Sequence, residues 1–261
     1  MIIDYLKPVD HSQMKLGKRP QRKDKRTLDL RKYLNLAILP PTPVSWSWDD
    51  PSITDWGMYS NDSIGDCTCA SCAHQIMSWT DDNKKLVTPK EADIITAYTA
   101  VSGYNPVNGQ NDNGAVIIDV LNYWRNTGIG GDKILGYAGI MPWMEDHLKK
   151  AVYLFGSIRL GAGLPIDAQN QNVWDVSRQT DFNHSGAPGS WGGHDIPVIG
   201  YNQEFVKIIT WGAVKAVSWR WFIAYVTEVY AVISMDFISN GKTPAGFDLA
   251  LLQSDLNLIG K

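Results

Sequence analysis

An α+β fold is expected, with helices gathered in the first half of the chain and strands in the second. Helical spacing predicts the first half. From Thr68, the residues Ala70, Ala73, Ile76 and Met77 recur at helical intervals to about Thr80. Thr88-Pro89-Lys90-Glu91 reads as a helix start, with Thr as N-cap, Pro at the first position and Glu at the third, the helix running towards Val101. Ala115 to Asn126 is helical again and ends at Gly128, and Glu145 to Phe155 gives another helix. The pattern then changes. Ser157-Ile158-Arg159-Leu160-Gly161 alternates like a strand. His194 to Tyr201 and Phe205 to Trp211 are apolar runs around Asn202-Gln203-Glu204, which is a hairpin pattern. Phe222 to Phe237 reads as further strand.

At 261 residues, with 44% hydrophobic and 20% charged residues, the chain has room for one large domain or two small ones and an ordinary soluble composition. No apolar run reaches the roughly 20 residues a membrane helix needs, so no membrane partner is expected. The start, Met-Ile-Ile-Asp-Tyr-Leu-Lys-Pro, lacks the basic-then-apolar order of an export signal. Cys67, Cys69 and Cys72 lie too close together to staple distant parts of a fold. Both facts point to a reducing compartment, cytoplasmic or virion-associated. Net charge is −3 but uneven: residues 1–32 hold ten Lys/Arg against four Asp/Glu, about +6, leaving about −9 for the rest. Residues 1–44 therefore read as a basic arm closed by Pro40-Pro41-Thr42-Pro43. Its segment 15–32 is expected against an acidic surface, that of its own body or of a partner. Residues 45–261 form the body, helical over about 45–150 and β over about 151–261.

The chemistry-bearing stretch is Asn61-Asp62-Ser63-Ile64-Gly65-Asp66-Cys67-Thr68, joined by Gly193-His194-Asp195 far downstream. Cys67 stands where a loop enters a helix. A helix N-terminus and a nearby imidazolium both favour the thiolate, the nucleophilic form. The alternative is a small buried hydrophobe. A metal site at Cys67, Cys69, Cys72 and His74 is disfavoured. At ~100° per residue these side chains point near 0°, 200°, 140° and 340°, so they do not converge on one ion. No metal and no cofactor is expected, and Cys69, Cys72 and His74 are read as packing residues.

These residues resemble the papain-like cysteine peptidases. In that family an oxyanion-hole glutamine lies six residues before a nucleophile that opens a long helix; here Asn61 lies six before Cys67. The family's histidine starts an H-A-V-x-x-V-G-Y strand; here the text is His194-Asp195-Ile196-Pro197-Val198-Ile199-Gly200-Tyr201. A second strand ending N-S-W-G has its counterpart in Ile209-Thr210-Trp211-Gly212. Asn113-Gly114 and the helix after it look like the family's substrate-binding loop. The resemblance covers roughly residues 45–235. It implies a helical left subdomain, with the nucleophile helix packed against a β-barrel-like right subdomain, and a peptide or protein substrate.

The resemblance implies that Cys67 attacks an amide carbonyl while His194 takes and returns the proton. Asn61 and the Cys67 N–H would stabilise the oxyanion. Asn113 and Gly114 would bind substrate backbone, and Trp211 would shield the imidazole. Each has a plainer alternative: a turn for Asn61 and Gly114, a core position for His194 and Trp211. The family's catalytic asparagine aligns with Ile209, which cannot orient an imidazole. Thr210 is the candidate third member only where a bulge turns it onto the histidine's face. The arm occupies the place of a propeptide. The expected function is hydrolysis of a peptide or isopeptide bond by a bacterial or phage protein. The alternatives are a catalytically silent binding or structural protein and a Cys-dependent amidase or acyltransferase.

Overall fold

The computed structural model describes residues 9–34, 39–49, 52–177, 184–238 and 243–245. Five helices and eight strands are described: β1 (Leu28–Asp29), β2 (Trp46–Ser47), α1 (Cys67–Asp82), α2 (Glu91–Ser102), α3 (Ile117–Asn126), β3 (Ile134–Ile140), α4 (Glu145–Phe155), β4 (Ile158–Leu164), β5 (Gly192–Tyr201), β6 (Phe205–Thr210), β7 (Ala213–Ser218), α5 (Trp219–Tyr225) and β8 (Val226–Ser234). The strands form one sheet in the order β1-β3-β8-β4-β5-β6-β7, with β2 paired to β5. Its pairings are antiparallel except β1 with β3. The expected barrel-like half is thus an open sheet, because its path ends at β1 and β7 without those strands pairing.

Side chains alternate across a strand, so this sheet feeds two cores. Val198, Ile208 and Leu160 pack on one face with Leu148, Val152 and Phe155 of α4 and Trp221 and Phe222 of α5. Ile199, Ile209 and Val232 pack on the other with Ala73, Ile76, Ile94 and Leu121 of α1 to α3. Helix α1 is buried along almost its whole length. Its polar groups therefore bond inward: Ser71 Oγ donates to Asp195 O (2.9 Å) and Trp79 Nε1 to Phe155 O (2.9 Å).

Three elements differ from the sequence pattern. Helix α2 starts at Glu91 with Lys90 as its N-cap and no side-chain cap; Glu91 and Asp93 supply the favourable charge of the first turn. Residues Trp219–Tyr225 form helix α5 rather than strand. Ser218 Oγ accepts from Trp221 N (3.1 Å) as cap, and Trp221, Phe222 and Tyr225 are buried at helical spacing. Strand β3 lies within the expected helical half, and its two glycines hide the alternation.

The basic arm lies on the body. Its residues Leu28 and Asp29 pair with Ala138 and Gly139, and Arg22 is ion-paired with Asp119 on α3. No described helix is long and apolar enough to cross a membrane.

Candidate active site

Cys67 is the first residue of α1, behind a non-helical Asp66 whose carbonyl accepts from Cys69 N (2.7 Å) and Ala70 N (3.0 Å). The thiol is fully buried, and the backbone N–H groups of Asp195 and Gly17 reach it. The helix N-terminus favours a thiolate, but burial wins. It pushes the thiol up to about 12, with the Asp195 and Asp66 carboxyls adding to the effect.

His194 sits on β5 opposite Ala162 of β4, also buried. Its Nε2 lies 2.7 Å from Thr210 Oγ1. Its Nδ1 is buried and has no hydrogen-bond partner among the described residues. The Trp211 ring stacks on the imidazole with centroids 4.6 Å apart and planes at 24°. Burial pushes His194 down to about 3, so the ring is neutral in this closed state.

Thr210 reaches the histidine through a break in register. On one side of the break Gly200 faces Lys207; on the other Val198 faces Ile208, leaving Ile199 as the extra residue. Carried through without the break, the first register would set Val198 opposite Ile209. The bulge instead puts Thr210, two residues beyond Ile208, on the His194 face and turns Ile209 into the α1–α3 core. Strands β6 and β7 then meet across the two-residue turn Trp211-Gly212, both residues at positive φ (47° and 68°). Such a turn suits the twist of a hairpin. A tryptophan there is strained, at a cost of order 1–3 kcal/mol, and the strain accompanies an indole laid on the imidazole.

Asn61 is buried, and its Nδ2 donates to Asp66 Oδ1 at 3.3 Å. Burial raises the Asp66 carboxyl well above the usual range. Gly114 has φ 72°, and its N–H donates to the Tyr98 hydroxyl (2.9 Å). Tyr98 donates to Asp112 Oδ1 (2.7 Å), which also accepts from Gly65 N (2.8 Å). This chain fixes the loop before Cys67 to the loop that carries Asn113 and Gly114.

The arm runs between these loops. Gly17 O accepts from Ala115 N (2.8 Å), Arg19 N donates to Ala115 O (2.9 Å), and Lys18 N donates to Gly193 O (3.0 Å). The passage is closed to side chains: a Cβ on Gly17 would lie 1.7 Å from Gly65 O, and one on Gly114 would lie 2.0 Å from Gly17 O. The arm's His11 also stacks on Trp211, with centroids 5.2 Å apart.

Beneath the site lies a group that residue patterns did not single out. Arg159 of β4 is fully buried and bonds Asp195 Oδ2 through Nε (2.8 Å) and Nη2 (2.5 Å). It also donates to Cys72 Sγ (3.0 Å) and to Thr68 O. Burial discourages the guanidinium charge, but Asp195 and Cys72 outweigh it and hold Arg159 charged. Burial pushes Asp195 up to about 6 against the pull of Arg159. The available sequence signal was an arginine inside the apolar strand Ile158–Leu164. His74 is a core residue as expected from its spacing: its Nε2 meets Gly57 O at 3.0 Å, and burial pushes it down to about 4.

Neither a protein-family model nor a curated protein sequence matches the chain. Solved structures do. Xylellain, a cysteine protease from Xylella fastidiosa, superposes with a TM-score of 0.62 at 15% identity, over 89% of this chain and 100% of that one. Procathepsin B S9 from Trypanosoma congolense gives 0.61 at 13% identity, over 86% and 88%. The digestive procathepsin L2 proteinase of the Tenebrio molitor larval midgut gives 0.57 at 12% identity, over 85% and 79%. With a helix that opens on Cys67 packed against the strand that carries His194, these likenesses show that the chain has the papain-like fold.

Proposed function

We propose that the protein is a cysteine hydrolase cleaving a peptide or isopeptide bond through Cys67 and His194, held closed here by its own arm. One observation carries the reading: a buried imidazole with Nε2 on Thr210 and a free, buried Nδ1, on the strand whose next N–H reaches a thiol at a helix N-terminus. A satisfied core histidine would have both nitrogens bonded.

With the arm displaced, water and substrate enter and the burial that neutralises both groups is relieved. The thiol proton passes to Nδ1, and Cys67 Sγ attacks the carbonyl carbon, moving the π electrons onto oxygen. The Cys67 N–H and the Asn61 amide, released from Asp66, face that oxyanion. Collapse expels the amine, which takes the proton from His194, and leaves a thioester. Water, deprotonated by His194, then releases the acid and the thiol. Thr210 keeps the ring oriented through Nε2, and Trp211 keeps water off it. Gly114 leaves room for a substrate backbone where Gly17 now lies.

The similar solved proteins bear the names of proteases, which supports a peptide or protein substrate. The test is a panel of peptide and isopeptide substrates on the wild type and on Cys67→Ala. Hydrolysis lost in the variant, with the fold retained, supports the reading; turnover that survives Cys67→Ala would refute it.

A second reading is favoured by the neutral, covered pair itself: a papain-fold protein without turnover that serves in binding, in a virion or elsewhere. It predicts that Cys67 stays an ordinary thiol even when the arm is displaced. Amide or acyl-transfer substrates in the same panel separate an amidase or acyltransferase from a peptidase.

A further inference from the structure

We infer that the groove between the arm and the end of strand β3 binds single-stranded nucleic acid, with Trp143 as its stacking platform. The inference does not depend on the hydrolase reading. Trp143 stands apart from the other tryptophans of the chain. Of the eleven, ten lie against another ring, as Trp46 does on Tyr153 and Trp221 on Tyr225. Trp143 meets no ring among the described residues and is 70% exposed. It sits on the corner that leads from β3 to α4. There Met144 N donates to Met141 O (3.0 Å), and Pro142 fixes one backbone angle. One exposed ring is ordinary by itself; its surroundings make it a site.

The groove beside Trp143 holds about 650 Å³, the size of a small-ligand cleft. The arm walls one side, and β3 and β8 wall the other. Its charges do not balance. Asp24, Asp29 and Glu228 line it, and each already has a cation. Asp24 pairs with Arg26 (2.7 Å), Glu228 with Lys18 (2.9 Å) and Asp29 with Arg31. Arg22 is paired with Asp119. Lys23 and Lys25 also line the groove, both exposed, and neither has a carboxylate partner among the described residues. What remains is two uncompensated ammonium groups beside an unpartnered indole.

That combination selects the ligand. Phosphates neutralise lysines, and every base offers a π-face to the indole, so a single strand uses both features at once. An acidic peptide would use the lysines and leave the ring bare. A neutral sugar would use the ring and leave the lysines bare. A duplex keeps its bases stacked on one another, out of reach of Trp143. The chain beyond residue 32 carries about −9, which repels a polyanion and confines contact to this groove.

The experiment uses the full chain and fluorescent strands of about twelve nucleotides, read by anisotropy at about 50 mM salt. The probes are oligothymidylate, oligouridylate, an abasic strand of the same length and an oligoglutamate of the same charge. At least one base-bearing strand should bind about tenfold tighter than the abasic strand and the oligoglutamate. Trp143→Ala should remove that advantage, and Trp143→Phe should keep most of it. The side chain is exposed, so both variants should fold, which a melting curve checks. Two neutralised phosphates give log affinity against log salt a slope of about −1.4, and Lys23→Ala with Lys25→Ala should bring it towards zero. No binding of either base-bearing strand overturns the inference. Equal binding of the abasic strand or the oligoglutamate also overturns it, since the groove would then read charge alone. Binding unchanged by Trp143→Ala, or by the paired lysine substitutions, places the nucleic acid elsewhere and overturns it too.

Discussion

At the scale of single residues, the closed site is a neutral pair. Burial, with the Asp195 and Asp66 carboxyls adding at the thiol and His74 at the imidazole, moves the thiol up to about 12 and the imidazole down to about 3, and both shifts favour the neutral form. Neither group carries charge near neutrality in the covered form. Thr210 is the least expected of these parts. A hydroxyl can donate or accept, so it holds Nε2 less selectively than a carbonyl oxygen would. Thr210→Val removes the bond at almost constant volume. In an arm-displaced background it should lower peptide-amide hydrolysis by about 10²-fold, the low end of general acid–base contributions, with the melting curve little changed. Hydrolysis within twofold of the parent would show that Thr210 does not orient the ring.

Cys67 and His194 were legible as a thiol where a loop enters a helix and a histidine opening an apolar strand, whereas Trp211 was singled out only through the resemblance. The sequence left Thr210 open for a physical reason. Side-chain direction in a strand depends on register, and the register here turns on one extra residue, Ile199, that no local pattern announces. Arg159 and Glu228 escaped notice for a similar reason. Their partners Asp195 and Lys18 lie 36 and 210 residues away along the chain.

At the scale of elements, the arm lies over the groove between the Cys67, Gly114 and His194 loops, and the proposed function makes it the gate. Its basic composition was legible, but its path was not, because the segment has no periodicity. What fixes the path is small: Gly17 passes where no side chain fits, and Lys18 ion-pairs with the buried Glu228. Gly17→Ala would place a Cβ 1.7 Å from Gly65 O, inside any van der Waals contact. Overpacking of this kind costs about 1–3 kcal/mol or more, enough to shift a closed arm towards open by roughly tenfold to a hundredfold. Iodoacetamide should then modify Cys67 at least tenfold faster than in the wild type. An unchanged rate would mean that the arm does not control access. Helices α1, α3 and α4 were readable from their spacing. Helix α5 was missed although Ser218 and the buried Trp221, Phe222 and Tyr225 mark it, because its aromatics also suit a strand.

At the scale of the whole molecule, one sheet holds the two halves in register. Strands β4 and β5 run beneath α1, and Arg159 ties all three together through Asp195, Cys72 and the Thr68 carbonyl. Removing one partner of a buried pair strands the other. Arg159→Met should therefore destabilise the fold by about 3–5 kcal/mol in chemical denaturation. Arg159→Met with Asp195→Asn should recover part of that loss, since no charge is then left buried. A double variant that loses the sum of the two single effects would show that the pair is not coupled. The α+β class was legible because helix and strand periodicities occupy different stretches. The open edge of the sheet was not, because β3 hides between helices and β1 belongs to the arm.

The account stands or falls on whether Cys67 and His194 form an ion pair once the arm is out. The measurement is the pH dependence of Cys67 alkylation in Gly17→Ala, with and without His194→Ala, read by fragment mass spectrometry that separates Cys67 from Cys69 and Cys72. In the closed wild type the thiol should react only as pH rises towards about 12. In Gly17→Ala a limb of reactivity should appear well below pH 7, where an imidazolium supports the thiolate, and His194→Ala should abolish it. A single ordinary thiol titration near ~8.5 in both would contradict the account and leave a silent site under a permanent arm.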